Sequence, residues 1–246
     1  MLAIAAVATC VLTTIFSMAG VGAAVILIPV YLALGVELHT AMATALLLNA
    51  IGMTIASVTF IRKGLVEWRL VIPMLIIAVL ASPFGVWVAQ GMERTPLLWL
   101  FVGFLVFAGV MMMFYRPRPR TERRTLSQAL TLGLPVGAVA GFVGGLLGVG
   151  GGNIIVPALV AAGIEPKRAS ASASFVVIFA SLSGFFAHVQ TAHIGLDLLG
   201  TTAIATAAGA ALGAWLASEK LRSDQLKRII AVVLMAVAAK TAWSLL

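Results

Sequence analysis

Apolar residues run through this chain in long stretches without the every-second-residue alternation of a half-buried strand, so the pattern predicts helices throughout. In the first half they cover 2 to 19, 23 to 35, 38 to 61, 69 to 90 and 96 to 115, and in the second 126 to 147, 153 to 164, 167 to 190, 196 to 218 and 224 to 244. Several reach the roughly 20 residues needed to cross a hydrocarbon core about 30 Å thick. The piece from 23 to 35 is only about 20 Å long at 1.5 Å per residue, so it must start within the bilayer to cross it. Thr95-Pro96 marks a start, a cap followed by proline at the first helical position. Residues 1 to 19 lack a positively charged leader region and have an internal counterpart at 126 to 147, so they are expected to be a span and not a signal peptide.

The helical pattern breaks at Gly148-Val-Gly-Gly-Gly-Asn-Ile-Ile-Val-Pro157. Glycine costs about 1 kcal/mol in a helix interior and lets backbone approach backbone or ligand closely. The break occurs twice. A shift of 128 residues lays Gly20, Val21, Gly22, Ile26, Pro29, Gly35 and Glu37 on Gly148, Val149, Gly150, Ile154, Pro157, Gly163 and Glu165. Gly85 with Gly213, Trp87 with Trp215 and Arg94 with Arg222 extend the match without a gap. The chain therefore divides into a first membrane repeat, 1–115, a basic cytoplasmic linker, 116–125, and a second repeat, 126–246.

Loop charges decide how the copies are oriented. The loop at 62 to 69 carries Arg62, Lys63 and Arg69, and its match at 190 to 197 has no Lys or Arg. The loop at 91 to 95 matches one with Lys220, Arg222, Lys227 and Arg228, and the uncharged-by-Lys/Arg loop at 35 to 39 matches one with Lys167 and Arg168. Positive loops stay in the cytoplasm, so a pattern that reverses between copies means that they face opposite sides. That requires an odd number of crossings per copy, five and not four. The fold class expected is an all-α polytopic membrane protein of two tandem inverted repeats, each with a glycine-broken short helix, giving 8 to 10 membrane segments.

Composition agrees. With 62% hydrophobic and 10% charged residues and a mean hydropathy of +1.13, the chain is not an ordinary soluble globule. Its net charge of +8 lies in loops between apolar runs, which points to membrane anchoring and away from nucleic acid. The single cysteine, Cys10, excludes an internal disulfide and any cysteine metal cluster.

Inverted repeats with matching broken helices point to a transporter site near the midplane. Each helix N-terminus carries about half a positive charge and up to four unpaired N–H groups, so the site suits an anion. Gly22, Ala23, Gly150, Gly151 and Gly152 would present backbone. Asn153 follows directly, either as an N-cap or turn residue or as a ligand. Ser170 and Ser174 share one face of their helix while Ser172 points elsewhere, and Ser172 matches Thr44 of the other copy. Such small residues are more often packing surface than ligands in membrane helices. Asn49 lies mid-helix, where its amide needs substrate or another helix as partner. Glu37 and Glu165 precede the third helices as expected caps. His188 and Gln190 end the third helix of the second half, at the interface.

At these residues the chain resembles the sulfite exporter TauE/SafE family, also described as the toluene sulfonate uptake permease family, over essentially its whole length. Gly148 to Pro157 is similar to the family's full motif. Gly20 to Pro29 is a degenerate copy, with Ala23 and Ala24 where glycines would stand. The resemblance implies transport, often efflux, of sulfite, organosulfonates or related sulfur anions across the cell membrane, and about eight spans. The expected function is a secondary transporter, an exporter, of such an anion. Its partners are a small anionic substrate and the lipid bilayer, with a homo-oligomer compatible, no nucleic acid and no cofactor. The alternative is a passive small-anion channel using the same site. An enzyme is disfavoured, because His39, His188 and His193 make no ligand spacing and no buried Asp/Glu/His cluster is expected to hold a metal or move protons. Gly148 to Gly152 is not followed by the Lys-Ser/Thr of a phosphate-binding loop.

Overall fold

Ten helices follow one another in the computed structural model, which describes residues 2–33, 35–114, 125–189, 196–243 and 245. They are α1 (Leu2–Met18), α2 (Ala24–Ala33), α3 (Leu38–Arg62), α4 (Trp68–Gln90), α5 (Arg94–Phe114), α6 (Leu126–Leu147), α7 (Gly152–Ala161), α8 (Pro166–His188), α9 (Leu196–Trp215) and α10 (Ser223–Trp243). Each corresponds to one predicted stretch. The arginine-rich linker from Arg116 to Arg124, Gln190 and His193 lie outside the described residues. Among the described residues, five helices are long and apolar enough to cross a membrane: α3, α4, α6, α8, and α9 with the π-helical turn Leu216–Lys220 that continues it.

Helix ends follow local chemistry. Thr125 and Gln128 form a reciprocal capping box at the start of α6. Glu37 caps α3, its carboxylate accepting from the amides of His39 at 3.1 Å and Thr40 at 3.2 Å. Glu165 occupies the equivalent place before α8 but makes no such capping bond. Pro166 at the first helical position has no amide to offer there. At α5 the helix begins at Arg94, two residues before the expected start, so Pro96 sits inside the first turn, where no intrahelical donor is required.

α3 and α8 run antiparallel at the centre. Ser57 Oγ donates to Ser174 Oγ at 3.2 Å, Asn49 Nδ2 donates to Ser181 Oγ at 3.0 Å, and the rings of His39 and His188 lie 6.0 Å apart, so residue numbers rise on one helix as they fall on the other. In contrast, α4 runs parallel to α6 and α8, and α1 parallel to α9. Gly133, Gly137, Gly141 and Gly145 of α6 abut Leu70, Met74, Ala78 and Ser82 of α4, and Gly209 and Gly213 of α9 abut the carbonyls of Cys10 and Thr14. These are small-residue approaches of the kind that lets membrane helices touch backbone to backbone. The shift of 128 residues turns the α1–α9 pairing into α6–α4 and maps α3–α8 and α5–α10 onto themselves.

Burial sorts the helices into layers. The most apolar windows of α8 and α3 are 67% and 61% buried, against 39% for α4 and 33% for α9, so α3 and α8 are the inner pair. Ile72, Leu80, Phe84, Trp87, Phe107 and Ile204 project outward from α4, α5 and α9. A belt of this kind suits lipid and not water.

The tight α4–α6 seam carries a prediction. Adding bulk at Gly141, where a Cβ would collide with the backbone of Ala78, should lower stability by about 1–3 kcal/mol or more through overpacking. Gly103, with open space beside it, is the control. Thermal unfolding of purified Gly141→Leu and Gly103→Leu should show a clear drop in midpoint for the first only.

Candidate functional site

Both breaks are turns that only glycine tolerates well. Gly20 and Gly22 have φ of 67° and 76°, and Gly148, Gly150 and Gly151 have 67°, 72° and 77°, all in the left-handed region. After these turns α2 and α7 set off, and their first bonded amides are Ile26 and Leu27, both to the Ala23 carbonyl, and Ile154 and Ile155, both to the Gly151 carbonyl. The amides of Ala24 and Val25, and of Gly152 and Asn153, therefore precede the first intrahelical bond of each helix. Gly151, at the N-cap of α7, has no side chain to satisfy them.

The two breaks meet. A Cβ at Gly152 would lie 2.7 Å from Cα and 2.8 Å from the carbonyl oxygen of Val21. The carboxamide of Asn49 fills the space beside Gly22 and also flanks Gly150, together with Ser181. Gly20 faces the backbone of Ser170, and its counterpart Gly148 faces Met42, the residue matching Ser170 in the first copy. One small volume thus collects Val21, Gly22, Asn49, Gly150, Gly152 and Ser181, with no lysine or arginine among the buried polar side chains described.

Several polar atoms here lack partners. Asn153 is 1% exposed and neither its amide oxygen nor its nitrogen is bonded. Asn49 Oδ1 and Ser170 Oγ are also buried and unpaired. Leaving a buried polar atom of this kind without any partner costs about 1–3 kcal/mol. If Ser181 donates to Asn49 Oδ1, the Asn49 amide turns over and offers its N–H groups at the break, while Ser170 stands about three helical turns away along α8, beside Gly20.

The remaining predicted residues lie elsewhere along the inner helices. Thr44 donates back to the Thr40 carbonyl of its own helix at 2.8 Å. Ser174 donates to Ala171 and accepts from Ser57, and Ser172 accepts from the Glu67 amide at 2.9 Å. Ala23 is buried at the start of α2. Together with Asn49–Ser181 and His39–His188, these contacts form a polar seam along the whole α3–α8 interface.

Sequence reading passed over a second set of groups. Thr9, Thr13 and Ser17 of α1 and Thr206 of α9 are buried hydroxyls, and the buried Tyr31 phenol of α2 lies beside Thr9 and Thr202. The three α1 hydroxyls recur every four residues, and the shift of 128 places Gly137, Gly141 and Gly145 on them. That replacement of glycine by hydroxyl on one face was the available signal.

The two ends of the inner pair differ. At one end Arg168 bonds Glu67 at 2.6 Å, Lys63 bonds Glu219 at 2.6 Å, and Lys167 bonds the Ser218 carbonyl at 3.3 Å, tying together the loops after α3, α7 and α9. Both ion pairs are partly exposed, so solvent screens them. At the other end a cavity of about 340 Å³ opens among Leu32, Gly35, Val36, Glu37, Leu38, His39 and Met92. Partial burial pushes the Glu37 carboxyl up, but the amides of His39 and Thr40 and the Thr40 hydroxyl outweigh it, and the group sits below its usual range. Folding brings the rings of His39 and His188 to 6.0 Å, with Glu37 exposed two residues before His39. No group of three metal-ligating side chains exists among the described residues.

Helix direction can be checked directly. With Cys10 replaced by Ser, Ser57→Cys with Ser174→Cys should form a disulfide under mild oxidation, because the two hydroxyls lie 3.2 Å apart. Ser57→Cys with Ser172→Cys should not, because Ser172 lies on another face and contacts Glu67.

Comparison with known proteins agrees with this architecture. A segment of 89 residues is 36% identical to a protein of Sinorhizobium sp. described as "Probable membrane transporter protein ORF9", covering 36% of this chain and 34% of that one. The match thus spans about a third of that curated relative. No solved structure matches significantly. The model of the family described as sulfite exporter TauE/SafE matches residues 4–241, nearly the whole chain. Two meeting glycine breaks in an all-helical membrane frame and this end-to-end match lead to one conclusion: the chain belongs to the sulfite exporter TauE/SafE family of membrane transporters.

Proposed function

We propose that the protein is a secondary transporter of the cell membrane that exports a small sulfur-containing anion, such as sulfite or an organosulfonate, bound where the two glycine breaks meet. The observation that carries this reading is the contact of Gly152 with Val21, which brings the starts of α2 and α7 together beside the unpaired amide atoms of Asn153 and Asn49. Two helix poles of about half a charge each, in a low-dielectric interior, match a single negative charge without a buried cation. The family's description as sulfite exporters supports the substrate class.

The working units are two inverted repeats, 1–115 and 126–246, joined by a cytoplasmic linker at 116–125. The antiparallel course of the equivalent helices α3 and α8 supports the inversion, as does the exchange of α1–α9 with α6–α4. Clustering of Lys63, Lys167, Arg168 and Lys220 with the α9–α10 turn supports a cytoplasmic placement of that end. Rocking of one repeat against the other around the central contact would expose the anion to either side in turn. The contrast between an ion-paired end and an open one favours such a carrier over a passive channel, in which both ends would be open together.

Purified protein should bind methanesulfonate, sulfite or thiosulfate in preference to acetate. Asn153→Ala and Gly151→Leu should each weaken binding by about tenfold or more, equivalent to loss of at least one charge-assisted hydrogen bond. Equal affinity in wild type and both variants would remove the breaks from the site. Counterflow of labelled substrate against a trapped pool would separate the carrier from a channel, which shows none.

A further inference from the structure

The turn between α3 and α4 belongs to the first half of the chain, yet its polar bonds go to the second. Lys63 reaches Glu219 in the π-helical turn after α9, and the Glu67 carboxylate meets the Arg168 guanidinium in the first turn of α8, both at 2.6 Å. The Glu67 amide donates to Ser172 Oγ at 2.9 Å, and the indole of Trp68 stands edge-on to Phe175 with ring centroids 5.1 Å apart. Arg168, Ser172 and Phe175 are spaced by four and three, so one stripe of α8 carries the turn. Gly20, where the first break begins, faces the backbone of Ser170. The turn and the start of that break therefore lie within one helical turn of each other along α8.

A carboxylate on a guanidinium is the same pairing that a sulfonate or sulfite would make. The planar fork of arginine fits two oxygens of any such group, so Glu67 fills with a tethered oxyanion the place that a free one could take. Both side chains are well exposed, Arg168 at 43% and Glu67 at 39%, so an anion reaches the guanidinium from solvent and the displaced carboxylate turns into water. Screening makes the pair easy to exchange, and Arg168 stays paired throughout the swap. The positive pole at the start of α8 lies beside it and favours either occupant. The shift of 128 residues places Thr40 where Arg168 stands and Gly195 where Glu67 stands, so the sequence repeats neither partner in the other copy.

From this geometry we infer that Arg168 is a docking site for a small oxyanion and that Glu67 is its built-in competitor: an arriving anion replaces the carboxylate and frees the α3–α4 turn from α8. The inference rests on the proposed anion transport, which makes this the cytoplasmic end where an exported anion first arrives, and its test separates the two. Trp68 moves with the turn and serves as a native reporter. With Trp87, Trp99, Trp215 and Trp243 replaced by Phe, the full chain in nanodiscs should show a saturable change in Trp68 emission as methanesulfonate replaces chloride at constant ionic strength. Arg168→Gln should abolish that change. Labelled methanesulfonate should bind about two- to fivefold more tightly to Glu67→Gln than to wild type, the gain that removing a screened competitor allows. Lys63→Gln loosens the same turn but leaves Glu67 on Arg168, so its affinity should match wild type. A Trp68 signal that ignores methanesulfonate, a response retained in Arg168→Gln, or equal tightening in Glu67→Gln and Lys63→Gln would each overturn the docking site. A Trp68 response together with unchanged binding in Asn153→Ala and Gly151→Leu would uphold docking at Arg168 and reject the central site. A silent Trp68 with weakened binding in those two variants would do the reverse.

Discussion

Everything in this molecule is arranged around backbone amides that a bilayer cannot hydrate. A helix that starts inside the membrane exposes N–H groups whose cost, in hydrocarbon, is several kcal/mol each. The chain solves this by placing both starts against each other and against side-chain amides, wrapped by α3, α8, α1, α6, α4 and α9. Left-handed glycines at 20, 22, 148, 150 and 151 make the turns short enough for that meeting.

The two copies share a plan and differ in chemistry. Where α6 lays glycines on α4, α1 presents Thr13 and Ser17 to Gly209 and Gly213 of α9, so the glycines of the two seams come from equivalent pairs but one seam also carries hydroxyls. Where one end carries exposed ion pairs, the other has a cavity lined by the Glu37 carboxylate and the His39 imidazole. Exposed pairs of this kind are screened by solvent and hold the end together only weakly.

Helix positions were legible in the sequence because the periodicity and the punctuation coincide. Gly35 and Glu37 before α3, Thr125 and Gln128 at α6 and Pro166 at α8 mark starts through local chemistry alone. The glycine breaks were legible because glycine in an apolar run is costly and appears twice at one spacing. Partners across the fold were not. Asn49 and Ser181 are 132 residues apart, and the meeting of His39 with His188 follows from the antiparallel course of α3 and α8, which no spacing within either helix encodes. The serines of α8 show the same limit. Their alternation could not tell that Ser172 serves the Glu67 amide, Ser174 serves Ser57, and Ser170 alone stands unpaired beside Gly20.

The central claim is that paired helix starts hold the anion, and the most direct measurement is an experimental structure with a heavy-atom oxyanion such as selenite bound. The account predicts one peak of anomalous signal at the meeting of the breaks, within hydrogen-bond reach of the Gly152 and Asn153 amides and beside Asn49. Signal confined to the basic loops, or to the outer surface of the helices with the breaks closed and unoccupied, would contradict it.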